Sequence, residues 1–158
     1  MHESVMEYVA GAIERYGLKD LRTLELGASN VNGSVRPLFS GGYIGIDHDP
    51  SSVGIDQYMS SHSLKFDEAS FDTVVTVSML EHDPAFWLTL SEVSRVLKPG
   101  GHLILTTVST GFGYHNPPDY WRFEMDTVPI LAEMAGCTVL DARADPQVAG
   151  IQFTAQRQ

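Results

Sequence analysis

Apolar and polar positions alternate along this chain in two different rhythms, and the switches between them set the order of elements. Residues 3–16 place Val5, Val9, Ala12, Ile13 and Tyr16 on one stripe with helical spacing. Thr23–Leu26 is a short apolar run that reads as a strand. Residues 33–39 read as a short helix, with Pro37 tolerable only near its start. Gly41-Gly42 ends that helix, and residues 43–46 read as a second strand. Residues 48–63 are polar and rich in serine, and no full helix is legible there. Phe71–Val77, FDTVVTV, has the β-branched density of a buried strand.

The strongest helix signal follows. Asp83 suits the N-cap and Pro84 the first helical position, and Phe86, Leu90, Val93 and Leu97 share one face. Lys98-Pro99-Gly100-Gly101 stops the helix, and residues 102–108 form the next strand. Residues 109–124 are a long loop with Gly, Pro and aromatic side chains. A helix over 127–135 ends at Gly136, and residues 138–142 and 151–155 read as two final strands with no helix between them. Strands alternating with helices predict an α/β fold. The expectation is one domain over residues 1–158, a three-layer sandwich around a mostly parallel sheet with an antiparallel C-terminal strand pair.

Composition narrows the partners. The 158 residues carry 20 acids against 10 Lys and Arg, for a net charge of −10. A surface this acidic repels phosphate backbones, which argues against DNA or RNA. The one cysteine, Cys137, cannot form an internal disulfide and has no zinc-site spacing around it, so it reads as a buried structural thiol and no metal is expected. No apolar run reaches the length of a membrane span. These features predict a cytoplasmic protein of a reducing compartment, without membrane contact.

The chemistry-bearing segments begin at residues 24–33, LELGASNVNG. A strand that runs into a Gly-bearing loop lets a cofactor approach the backbone. The loop is a poor dinucleotide fingerprint, because Ser29 stands where a second glycine would fall, and Asn30 and Asn32 are expected to supply the positive-φ backbone instead. Glu25 at the strand end disfavours a pyrophosphate and suits an amino group. Asp47 lies 22 positions after Glu25, close to the spacing of about 20 residues at which an acid grips ribose hydroxyls. Turn capping in Asp47-His48-Asp49-Pro50 is the alternative role.

With these segments in view, the chain resembles the class I S-adenosylmethionine-dependent methyltransferases of the small-molecule, type 11-like kind. LELGASNVNG, YIGIDHDP, LKFDEASFDTVVTVSMLEHD and EVSRVLKPGGHLILTT carry the resemblance, over about residues 23–108. It implies a Rossmann-like sheet and S-adenosylmethionine as cofactor. Glu25 would stand near the methionine amino group, Gly27, Ala28 and Ser29 along the backbone approach, and Asp47 on the ribose with His48 beside it. Ser60 would fall where the family's adenine-contacting acid stands, and Ser78 is also expected among the cofactor-binding residues. Two departures stand out. Ser29 and Val31 replace later glycines of the loop, and the helix usually found between strands 2 and 3 is cut to a few residues.

The acceptor side is expected in residues 114–123, YHNPPDYWRF. Tyr120 and Trp121 could wall a small-molecule acceptor, and Arg122 could fork a carboxylate or phosphate. The plainer alternative packs Trp121 and Phe123 on the sheet and pairs Arg122 with an acid. His82, after SMLE, and His115, in this loop, are the candidates for a general base. The predicted activity is methyl transfer to an O or N atom of a small molecule, in a pocket left open or completed by a second copy in a homodimer. A non-catalytic S-adenosylmethionine-binding partner subunit fits the degraded glycine loop, and a nicotinamide-dependent oxidoreductase fits the sheet alone.

Overall fold

The computed structural model describes residues 2–114 and 118–158. Its elements are α1 (Glu3–Tyr16), β1 (Thr23–Leu26), β2 (Tyr43–Asp47), β3 (Gln57–Tyr58), β4 (Phe71–Val77), α2 (Phe86–Val96), β5 (Leu97–Val108), α3 (Val128–Met134), β6 (Cys137–Ala144) and β7 (Gly150–Arg157). The strands form one sheet in the order β3-β2-β1-β4-β5-β7-β6. Every neighbouring pair up to β5 is parallel, and β7 runs antiparallel to both β5 and β6. The architecture is the expected α/β sandwich with a reversed C-terminal pair.

Parallel strands covered on both faces must be apolar on both faces, which explains the unbroken runs in the sequence. On one face, Leu24, Leu26, Val74, Leu103 and Leu105 meet Leu90 and Val93 of α2 and Leu131 of α3. On the other, Val75 and Ile104 meet Val9 and Ile13 of α1, with Val35 and Phe39 completing the layer. α1 closes at Gly17, whose left-handed φ of 67° lets its N–H reach the Ile13 carbonyl. Lys98-Pro99-Gly100-Gly101, expected to stop the helix ahead of a strand over 102–108, lies inside β5, which starts at Leu97 directly after α2. A Cβ on Gly101 would lie 2.9 Å from the carbonyl oxygens of Asp72 and Lys98.

The structure departs from the sequence reading in three further places. Residues 33–39 make a single 3₁₀ turn, Arg36–Leu38, because Pro37 admits the turn and nothing extends it. A two-residue strand, Gln57–Tyr58, extends the sheet beyond β2 where no strand was legible, and no helix stands between β2 and β4, where a few residues of one were expected. α2 begins at Phe86 with no side-chain cap, so Asp83 is not its N-cap and Pro84 not its first residue. Asp83 instead accepts the Ala85 N–H at 2.9 Å and the Thr89 hydroxyl at 2.6 Å from one turn upstream.

Phe71 joins these layers at the start of β4. It is fully buried, edge-on to Phe66 at 5.0 Å, with the Arg22 guanidinium 4.8 Å above its ring. Phe71→Ala is expected to lower the unfolding free energy by about 3–5 kcal/mol, as large aromatic truncations in cores do. Urea denaturation followed by circular dichroism checks this, and a loss below about 1 kcal/mol would show that the site collapses around the cavity.

Candidate functional site

β1, β2 and β4 end on the same edge of the sheet, and a cavity of about 720 Å³ opens there. That volume lies within the range of small-molecule sites, about 300–1,000 Å³. Open α/β sheets bind ligands at this edge because the strand ends leave a crevice between diverging loops. The turns after β1 and β2 line one side with Glu25, Gly27, Ser29, Asp47 and His48. The turn after β4 and the loop after β5 line the other with Ser78, Glu81, His82, Asp119 and Tyr120.

The β1 loop is shaped by two glycines. Gly27 has φ 73°, and a Cβ there would lie 2.6 Å from Cγ of Met79. Gly33 has φ 109°. Asn30 and Asn32, expected to hold positive φ, do not, since the non-glycine residues with positive φ among those described are Ala69 and Ser78. The Asn30 side-chain oxygen accepts the Gly33 N–H at 3.2 Å and closes the loop as a side-chain turn. Ala28 is buried, and its N–H bonds the Ile46 carbonyl at 2.9 Å, fastening the loop to β2.

Asp47 ends β2 with its side chain 13% exposed. One oxygen accepts the Asp49 N–H at 2.9 Å, so the turn-capping role is real, and the second oxygen takes no hydrogen bond among the described residues. Glu25 is 4% exposed. The Tyr43 hydroxyl donates to it at 2.5 Å. Burial pushes the Glu25 carboxyl up to about 7, against the opposing pull of the Tyr43 hydrogen bond and the Arg36 charge. The same burial and the facing carboxylate raise the Tyr43 hydroxyl. His48 is exposed at the rim. Ser60 does not line the cavity. Its hydroxyl accepts the His62 N–H at 3.2 Å, and its neighbours Met59 and Ser61 face the space instead. Ser78 holds φ 48° at the tip of β4, where its N–H bonds the Thr106 carbonyl at 2.9 Å. Left-handed geometry in a non-glycine residue costs about 1–3 kcal/mol and concentrates at functional sites.

Across the cavity, two residues that sequence reasoning passed over come forward. Glu81 is 2% exposed and accepts the Thr107 hydroxyl at 2.8 Å, and burial raises its carboxyl above the ordinary range. The Asp119 side chain is 3% exposed and stands 3.0 Å from Nδ1 of His82. The clue to Glu81 was an acid placed directly after an apolar strand end, in SMLEHD. Asp119 carried no signal, because its partner His82 lies 37 positions away. Of the three residues expected on the acceptor, Tyr120 lines the cavity. Trp121 and Arg122 fasten the loop instead: the Trp121 indole N–H donates to the Asp83 carbonyl at 2.9 Å, and Arg122 donates to Asp119 at 2.7 Å. His115 lies outside the described residues.

The arrangement suits a cofactor that carries a ribose and a positive charge. Asp47 offers a spare carboxylate oxygen, Gly27 a backbone with no side chain, and Glu25 an acid poised to ionise beside a cation.

Comparison with known proteins agrees with this geometry. A family model described as a methyltransferase domain matches residues 24–105, more than half of the chain. The phthiotriol/phenolphthiotriol dimycocerosates methyltransferase of Mycobacterium leprae is 32% identical over 100 residues, covering 54% of this chain and 37% of that protein. The 27-O-demethylrifamycin SV methyltransferase of Amycolatopsis mediterranei is 39% identical over 49 residues, 31% of this chain and 18% of that protein. The chain thus spans well under half the length of these relatives. Among solved structures, the Burkholderia thailandensis 1,6-didemethyltoxoflavin-N1-methyltransferase, crystallised with 1,6-didemethyltoxoflavin and S-adenosylhomocysteine, superposes with a TM-score of 0.77 at 19% identity, over 99% of this chain and 79% of that one. A methyltransferase from Aquifex aeolicus gives 0.76 at 16% identity, over 99% and 94%. The chain belongs to the methyltransferase-domain family, a class I methyltransferase whose cofactor is S-adenosylmethionine.

Proposed function

We propose that this chain transfers the methyl group of S-adenosylmethionine to an O or N atom of a small molecule. The observation that carries the reading is the division of one cavity into two chemically distinct walls. Glu25, Gly27 and Asp47 stand on one, and Glu81 and His82 stand on the other. S-adenosylmethionine, when bound, supplies a methyl group already activated by its sulfonium. The protein's part is then alignment and proton handling.

Asp47 receives the ribose hydroxyls on its spare oxygen, and Glu25 receives the amino group. The backbone of Gly27, Ala28 and Ser29 follows the amino-acid part, and His48, Met59 and Ser61 border the base. Ser78 lies between the walls. His82 takes the proton from a hydroxyl or ammonium acceptor, and Tyr120 bounds the acceptor's body. The named relatives, two of which act on small natural products by their names, support a small-molecule acceptor. Incubation with methyl-labelled S-adenosylmethionine and a panel of alcohols, phenols and amines tests the reading directly. Label transfer to a panel member supports it, and binding of NAD in place of S-adenosylhomocysteine would overturn it.

Two predictions follow from the cofactor wall. Asp47→Ala should weaken S-adenosylhomocysteine binding at least tenfold, because a hydrogen bond to a charged group is worth about 1.5–3 kcal/mol. Calorimetry reads this, and an unchanged affinity would place the ribose elsewhere. The second concerns pH. The ligand-free Glu25 carboxyl, held up to about 7 by burial, is protonated at pH 6 and ionised at pH 8. An incoming ammonium favours the ionised form, so binding below pH 7 must release that proton. Affinity for S-adenosylhomocysteine is therefore expected to rise between pH 6 and pH 8, by at most about tenfold per unit below the midpoint. In Glu25→Gln the rise disappears and the affinity at pH 8 falls. A rise that persists in the variant would assign the proton to another group.

A further inference from the structure

We propose that Asp119 is a positioning residue for His82: clamped by Arg122, its charge acts with the Pro118 carbonyl to hold the imidazole as the Nδ1–H tautomer and leaves Nε2 as the atom that accepts the substrate's proton. The use made of Nε2 rests on the methyl-transfer reading. The tautomer itself does not.

The first step is a count of donors and acceptors around the ring. Nδ1 of His82 makes its hydrogen bond to the Pro118 carbonyl at 3.3 Å and stands 3.0 Å from an Asp119 carboxylate oxygen, a charge contact rather than an aligned hydrogen bond. A carbonyl has no proton to give, and a carboxylate paired with a guanidinium is held ionised. Both neighbours accept, so Nδ1 must donate. The neutral ring then carries its lone pair on Nε2, which takes no hydrogen bond among the described residues. His82 itself is among the residues that line the cavity.

The second step is rigidity. A carboxylate can select a tautomer only if it stays in place. The Asp119 side chain is nearly buried, and Arg122 donates to its other oxygen at 2.7 Å. Arg122 is fixed in turn by a hydrogen bond to the Trp121 carbonyl at 2.8 Å. The backbone repeats the tie. The Tyr120 and Trp121 N–H groups both reach the Glu81 carbonyl, at 2.7 and 3.3 Å, so the two residues flanking the contact are joined through the main chain as well. Among the described residues, the charged or titratable groups that bear on the ring are therefore Asp119 and Arg122 on the loop and Glu81 on the turn. Arg122, expected on the acceptor, serves the base at one remove.

The test needs no acceptor. Protein labelled with ¹⁵N-histidine is examined by long-range ¹H–¹⁵N spectra at pH 9, where the rings are neutral, and His82 is assigned by the signal lost in His82→Gln. The native protein should show the Nδ1–H pattern. Asp119→Asn and Asp119→Ala remove the carboxylate but keep the Pro118 carbonyl, so in both the ring should fall from a single Nδ1–H form to a mixture with Nε2–H. A purely structural Asp119 would leave the tautomer unchanged in both variants, and that result overturns the proposal. So does an Nε2–H pattern in the native protein, which decides the question even if neither variant folds. S-adenosylhomocysteine affinity in Asp119→Asn should stay within twofold of native. Failure of the native protein to bind S-adenosylhomocysteine would instead sink the methyl-transfer reading and leave the tautomer assignment standing.

Discussion

The cavity depends on one buried carboxylate. Asp83, with its side chain 4% exposed, holds His62 at 2.7 Å and the Ala85 N–H at 2.9 Å on one oxygen, and the Thr89 hydroxyl at 2.6 Å on the other. Its backbone carbonyl accepts the Trp121 indole. Those partners come from four places in the chain: the segment beside Ser61, the approach to α2, α2 itself, and the loop after β5. A carboxylate taken out of water needs its lone pairs filled, and this one draws the segment beside Ser61, α2 and the loop after β5 together to do so. Ser61 adds to the chain of contacts through the Thr89 hydroxyl at 2.7 Å. The turn of residues 80–83 thus ties the segment beside Ser61 to the loop after β5.

The sheet supplies the other half of the constraint. β1 lies between β2 and β4, with Glu25 in register with Gly45 and Val75. Gly45 is glycine because a Cβ there would lie 2.8 Å from that of Ala28, which the cofactor loop folds down onto β2. Glu25 is consequently trapped under the loop, with water excluded and Tyr43 as its hydrogen-bond donor. Glu81 is trapped in the same way across the cavity. Two carboxyls raised by burial, in a chain of net charge −10, make a site whose ionisation a bound cation favours. A sulfonium and an ammonium on one ligand match that field.

Much of this was legible in the chain and some was not, for physical reasons. Buried parallel strands announce themselves by density of β-branched and aliphatic residues, which is why Phe71–Val77 was read to the residue. Gln57–Tyr58 is exposed and two residues long, and it is a strand only because β2 offers an edge. Asp83 had the chemistry of a helix cap, and local pattern gave no hint that His62 and Thr89 would claim it for a buried network. Glu25 and Asp47 were visible because their role is set by position along a strand. Asp119 and the real task of Arg122 were hidden because their meaning comes from a residue on another element. Ser60 shows the error inherent in counting: a shift of one residue moves the side chain from the cavity to the surface, and Ser61 and Met59 took the places facing it.

The glycine loop, finally, bears on whether the site is a working one. Ser29 and Val31, standing where related loops carry glycine, looked like decay. Glycine is required only where φ is positive or where a Cβ has no room. In this loop those conditions fall at Gly27, against Met79, and at Gly33. Positions 29 and 31 have ordinary negative φ, and Val31 is 75% exposed. A side chain at either place costs the backbone nothing. Asn30 meanwhile closes the turn with a side-chain hydrogen bond, a job that a glycine could not do. The loop has replaced conformational freedom with a specific contact, so the missing glycines are no argument for an inert binding subunit. The buried Glu81 and the His82–Asp119 pair give a positive argument against one. Both stand on the wall opposite the proposed cofactor groups, where the proposed methyl transfer needs proton handling.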